Sequence, residues 1–170
     1  MNNKTNLRAT AKKLRASLDI SYISKIICER ITKHEAFISS TNIMLYYPTA
    51  SEIDILPLSQ ISGKNFYLPR VNGKMLDVCR FTPNTEFTKS SYGIFEPVDD
   101  AVENSILDLV ITPALMVDKN NYRLGYGGGY YDRFLKTCRA KTICPIHSLL
   151  IVENIFPEIY DIPIDYIVCE

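Results

Sequence analysis

The spacing of apolar residues changes along the chain, from a helical period near the start to short, nearly continuous runs farther on. Leu7, Ala11, Leu14 and Leu18 fall at spacings of three, four and seven, which predicts a helix over residues 4–18 with Lys4 and Arg8 together on its exposed face. Ile23, Ile26, Ile27 and Ile31 predict a second helix, with Ser21 as N-cap and Lys33 and His34 near its C-terminal end. "NIMLYYP" (42–48), "NFYLPRV" (65–71) and the alternating "MLDVCRF" (75–81) read as strands. Between the first two, Ile53, Leu56 and Ile61 followed by Gly63 suit a short helix with a glycine C-cap, which makes a βαβ unit. "LDLVITPAL" (107–115) is apolar enough for a central strand covered on both faces, and it leads into a glycine-rich stretch. "TICPIHSLLIV" and "DYIVCE" add further strands, and Phe81 to Val98 reads as a looser excursion. This alternation predicts an α/β protein, a single three-layer domain over residues 1–170 with a mixed, mainly parallel central sheet flanked by helices.

Length agrees, since 170 residues is an ordinary size for one domain with its own core. Nineteen basic residues balance nineteen acidic ones, so no whole-molecule field favours nucleic acid or anionic lipid, and any anion site must be local. The five cysteines are odd in number and contain no C-x-x-C pair, which argues against a disulfide framework and a zinc knuckle and for a reducing, cytoplasmic setting. No apolar run nears the roughly 20 residues that span a bilayer. The expectation is a monomer acting on small molecules, without nucleic-acid or membrane partners. The run of Lys4, Arg8, Lys12, Lys13 and Arg15 ahead of the first acidic residue, Asp19, leaves an organelle transit peptide as the minority reading.

Four of the seven glycines sit in "RLGYGGGYYD", residues 123–132. The stretch is not a Walker loop, and Tyr130 stands where a G-x-G-x-x-G fingerprint needs glycine. A strand, a bare loop and then a helix ("YYDRFLKTC") nevertheless suit phosphate, because exposed backbone N–H groups and a helix N-terminus both favour an anion. Arg123 would add a fixed guanidinium fork. Asp132, in the first helical turn, is either a carboxylate favoured by the positive helix end or a ligand for phosphate-bound magnesium. The competing reading is a tight turn whose tyrosines fill surface grooves.

The decapeptide resembles the signature of the 5-formyltetrahydrofolate cyclo-ligase (5,10-methenyltetrahydrofolate synthetase) family. Lys4 and Arg8 match that family's K-x-x-L-R, and Tyr47 with Glu52 its Y-P-x-x-x-E. "LPRV" (68–71), "YGIFEP" (92–97) and "YDIPIDYI" (160–167) follow in the same order. The resemblance implies ATP- and Mg2+-dependent closure of 5-formyltetrahydrofolate to 5,10-methenyltetrahydrofolate, through phosphorylation of the formyl oxygen. It assigns ATP to Lys4, Arg8, Arg123, Leu124, Gly125, Tyr126, Gly127, Gly128, Gly129, Tyr130 and Tyr131, with Lys4 and Arg123 catalytic. Magnesium falls to Asp132 and Asp161, and the folate to Arg8, Tyr47, Glu52, Tyr126 and Tyr130. The chain departs from the pattern at Ala114 and Asn121, where glycine is usual, and at Tyr160, where histidine is often found.

Overall fold

The computed structural model describes residues 3–170. Among the described residues, twelve strands and four α-helices follow one another. The N-terminal helices are α1 (Asn3–Arg15), α2 (Ile20–Thr32) and the single turn α3 (Glu35–Ile38). Then come β1 (Asn42–Met44), β2 (Asn65–Asn72), β3 (Met75–Phe81), β4 (Phe87–Lys89), β5 (Phe95–Pro97) and β6 (Ala101–Val102). They are followed by β7 (Leu109–Ile111), β8 (Met116–Asp118), β9 (Arg123–Leu124) and α4 (Tyr130–Leu135). Last are β10 (Lys141–Pro145), β11 (Ile151–Val152) and β12 (Tyr166–Val168).

Seven strands form the central sheet in the order β12-β10-β7-β1-β2-β3-β6. Pairings from β12 through β2 are parallel, whereas β2–β3 and β3–β6 are antiparallel, so the sheet is mixed and mainly parallel. Alternation along β1 divides the core into layers. Ile43 packs on one face with Ile27 and Ile31 of α2 and Phe37 of α3, while Met44 packs on the other with Phe134 and Leu135 of α4. Beside α4, Ala11 of α1 packs with Met116, Leu124, Cys144 and Ile164. A small sheet, β11-β8-β9, lies in that region, and β4 and β5 form a separate hairpin.

Several boundaries differ from the sequence reading for local reasons. Asp19, not Ser21, caps α2 by accepting from Tyr22 N at 3.0 Å, and His34 begins α3 by accepting from Ala36 N. The expected helix before β2 is a 3₁₀ segment, Leu56–Gln60, with Pro57 in its first turn, and Gly63 (φ +80°) sits in the turn beyond it. The apolar run 107–115 contributes only β7 to the central sheet, and "TICPIHSLLIV" divides into β10, a 3₁₀ turn capped by His147, and β11. Within the excursion from Phe81 to Val98, β4 and β5 are regular. All five cysteines are unpaired, and burial pushes the Cys144 thiol up to about 12. Among the described residues no helix is long and apolar enough to cross a membrane.

The β8–β9 hairpin delivers Arg123, and its loop depends on a carboxylate buried out of reach of water. Asp118 Oδ1 accepts from Asn120 N and Tyr122 N, each at 3.0 Å, and Oδ2 accepts from Ile155 N at 3.2 Å. Asn121 adopts φ +65°, the left-handed conformation that glycine and asparagine tolerate best, which accounts for asparagine at a position where the family usually has glycine. Asp118→Ala would strip three backbone donors of their acceptor. We expect it to lower stability by roughly 3 kcal/mol, measured as a lower urea midpoint at unchanged slope. Asn121→Val should cost roughly 1–3 kcal/mol through backbone strain, whereas Asn121→Gly should be tolerated.

Candidate active site

Positions 4, 8, 11 and 15 share one face of α1, so the helix that buries Ala11 turns Lys4, Arg8 and Arg15 the same way. That face is not exposed: Lys4 and Arg15 are buried and Arg8 is half-buried. Lys4 Nζ lies 2.6 Å from Asp161 Oδ2 and 3.2 Å from Glu158 Oε1. Burial alone would lower the Lys4 pKa, but bonds to the two carboxylates outweigh it and hold the ammonium above its usual range. Arg8 Nε donates to the Gly125 carbonyl at 2.9 Å, which fixes the start of the glycine loop against α1.

Arg123 emerges from β9 only 6% exposed, and its Nη2 donates to Asp132 Oδ1 at 3.0 Å. Its guanidinium lies 5.3 Å from the centre of the Tyr131 ring. Two buried polar atoms here, Arg123 Nε and the Tyr131 hydroxyl, have no hydrogen-bond partner among the described residues. Burial raises the Tyr131 phenol far above its usual range despite Arg123.

Gly127 (φ +107°) and Gly129 (φ +66°) occupy backbone conformations that side chains rarely adopt. Gly127 also passes under the Arg8 guanidinium, 3.6 Å from where a Cβ would stand. Arg133 clamps the loop from outside, donating to the carbonyls of Gly128 at 2.8 Å and Lys74 at 2.6 Å. Helix α4 ends at Leu135, earlier than its sequence suggests, and beyond it Thr137 N bonds Phe134 O in the tighter i→i−3 pattern of a closing turn.

Both candidate metal carboxylates line the same cavity. Asp132 accepts from Arg123 and from Ile162 N on Oδ1 alone, and Asp161 accepts from Lys4 and Glu158 N on Oδ2 alone. Each therefore keeps one oxygen outside those bonds. Among the described residues no group of three or more His, Cys, Asp or Glu is placed to hold a metal. Two carboxylates with one open oxygen each nevertheless suit a hard cation that also takes phosphate oxygens.

Tyr47, which also lines the cavity, packs against Phe87 and Phe95, with ring centres 5.5 and 5.4 Å away. Glu52 is buried and accepts from Thr49 N at 2.7 Å. The Tyr126 hydroxyl accepts from Arg15 Nη1 at 3.2 Å, and Tyr130 meets Tyr92 hydroxyl to hydroxyl at 2.9 Å. The cavity measures about 610 Å³ and is lined by every residue singled out from the sequence: Lys4, Arg8, Tyr47, Glu52, residues 123–132 and Asp161. It adds Thr49 and Glu158, which no local pattern marked, and Tyr92 and Glu96, which lie in the "YGIFEP" motif but to which the resemblance assigns no role in the site. Arg70 is bonded to Asp77 and to the carbonyls of Pro97 and Asp99 and does not line it. A second groove of about 690 Å³, between α2 and residues 48–57, has Lys25 as its only basic lining residue and no glycine loop.

Comparison with known proteins bears on the fold and the family. The profile of the 5-formyltetrahydrofolate cyclo-ligase family matches residues 1–170. A 5-formyltetrahydrofolate cyclo-ligase of Haemophilus influenzae is 30% identical over 95% of this chain and 94% of its own. The mouse protein of that name is 28% identical over 98% of this chain and 89% of its own. The solved Aquifex aeolicus 5,10-methenyltetrahydrofolate synthetase superposes with a TM-score of 0.85 at 29% identity, covering 97% of this chain and 88% of that one. A Mycoplasma pneumoniae synthetase shares the fold, with a TM-score of 0.78 at 21% identity over 98% of both chains. With a full-length profile match and relatives aligned nearly end to end, this chain belongs to the 5-formyltetrahydrofolate cyclo-ligase family of enzymes.

Proposed function

We propose that the chain closes 5-formyltetrahydrofolate to 5,10-methenyltetrahydrofolate at the expense of ATP, with magnesium, releasing ADP and phosphate. The observation that carries this reading is the pairing of two cations with two carboxylates around one glycine-lined cavity: Lys4 with Asp161 and Arg123 with Asp132. An anionic nucleotide can take over the cations, and a divalent metal the carboxylates.

A formyl amide is a poor electrophile, and its oxygen leaves badly. Transfer of the γ-phosphoryl group to that oxygen gives an iminophosphate. The neighbouring folate amine then attacks the carbon and loses its proton, and phosphate departs with the oxygen. This chemistry needs alignment and positive charge more than a covalent nucleophile. Lys4 and Arg123 would face the transferring group, with Arg8 beside them. The backbone of residues 124–131 would border the phosphates, and Asp132 with Asp161 would hold magnesium, which screens phosphate charge when bound. Tyr47, Tyr126 and Tyr130 offer rings to the folate, and Glu52 offers an acceptor for its N–H donors. We place the enzyme in a reducing cytoplasm, in keeping with its unpaired cysteines, and read residues 1–170 as one domain active as a monomer, since one chain supplies the whole cavity.

Purified protein given 5-formyltetrahydrofolate, ATP and magnesium should develop the near-ultraviolet absorbance of the methenyl product; its absence, with the protein folded, would overturn the reading. Arg123→Ala should slow turnover at least about a hundredfold, a loss of roughly 3 kcal/mol, and a wild-type rate would remove Arg123 from the site. Asp132→Asn keeps shape and loses charge, so the magnesium concentration for half-maximal rate should rise while circular dichroism stays unchanged.

A further inference from the structure

Arg15 is a charge that the reading above leaves unused. It ends α1, is only 5% exposed, and has no carboxylate within ion-pair distance among the described residues. Its Nη1 donates to the Tyr126 hydroxyl at 3.2 Å, and its Nη2 donates to the carbonyl of Ala114. Holding a guanidinium out of water on neutral acceptors is unfavourable, and an apolar side chain would close the end of α1 at less cost.

What the charge touches supplies a reason. Tyr126 accepts from Arg15, and Glu52 is fixed separately by Thr49 N, from which it accepts at 2.7 Å. Burial, and then the Glu52 charge, raise the Tyr126 phenol above its usual range, so it stays a neutral acceptor for Arg15. Tyr126 is half-exposed and Glu52 is buried, and both line the cavity.

We propose that Arg15 is a positioning residue for the substrate: acting through the Tyr126 hydroxyl, it holds the Tyr126 ring in the cavity that Glu52 also lines. The group recognised there is a heteroaromatic ring carrying N–H donors. The inference rests on the folate reading of Glu52 and Tyr126, and it separates Arg15, which acts through Tyr126, from Lys4 and Arg8, which line the cavity themselves.

The test compares wild-type protein with Arg15→Met, which keeps an apolar stem, Arg15→Lys, Tyr126→Phe and the Arg15→Met/Tyr126→Phe pair. Readouts are kcat, KM for 5-formyltetrahydrofolate and for ATP, thermal midpoint, and calorimetric binding of the folate without ATP. Arg15→Met and Tyr126→Phe should each weaken folate binding and raise folate KM by about tenfold, the scale of one lost charge-assisted hydrogen bond. ATP KM should move far less. The double variant should be no worse than either single one, because both break the same chain, and Arg15→Lys should recover part of the loss. Equal effects on folate and ATP, additive losses in the double variant, or a fall in thermal midpoint with unchanged folate KM would each overturn the inference. Should Arg15→Met fail to fold, Tyr126→Phe with wild-type folate affinity would overturn it alone. A wild-type enzyme that neither binds nor converts the folate would instead overturn the function proposed above.

Discussion

A charge held away from bulk water needs an opposite charge or several good hydrogen bonds, and this requirement organises the site. Arg123 is almost wholly buried, and Asp132 answers it from the start of α4. Lys4 is buried at the start of α1, and Asp161 and Glu158 answer it from the C-terminal segment. The pairs draw four distant stretches around one cavity: the first helix, the β8–β9 hairpin, the turn into α4, and residues 158–162. Removing one partner leaves the other charged and poorly solvated, so each pair constrains the backbone on both its sides.

Helix α1 has an unusual division of labour. A stripe that would be wholly apolar in an ordinary packed helix instead places Lys4, Arg8 and Arg15 in line with Ala11; Lys4 and Arg8 line the cavity, and Arg15 reaches it through Tyr126. Arg8 fixes the backbone of the glycine loop, while Arg15 fixes the hydroxyl of a loop side chain. The glycines let that backbone pass close under guanidinium groups in conformations closed to other residues, and Arg133 holds it from the far side. The loop is thus bare without being slack.

Much of this was legible in the sequence because it is local. The period of Leu7, Ala11 and Leu14 specifies α1, alternation in "MLDVCRF" specifies β3, and the decapeptide marks its own loop. What escaped depends on competition between neighbours or on distance. Asp19 displaced Ser21 as a cap because its carboxylate reaches Tyr22 N, and Pro57 accompanies a 3₁₀ turn where apolar spacing suggested an α-helix. The run from Leu107 to Leu115 looked like one strand because apolar content does not reveal where a chain leaves its sheet. Arg15 looked like one more member of a basic N-terminus, since its partner, Tyr126, is 111 residues away.

The bond between Lys4 and Asp161 spans 157 residues. During synthesis the first helix leaves the ribosome long before its counter-charge has been made, so Lys4 starts out hydrated and gives up that water only when nearly the whole chain is available. The central sheet can begin to pair while synthesis continues, because β1, β2 and β3 all lie within the first half of the chain. The charge pattern of the cavity cannot: it is complete only once Asp161 has been made.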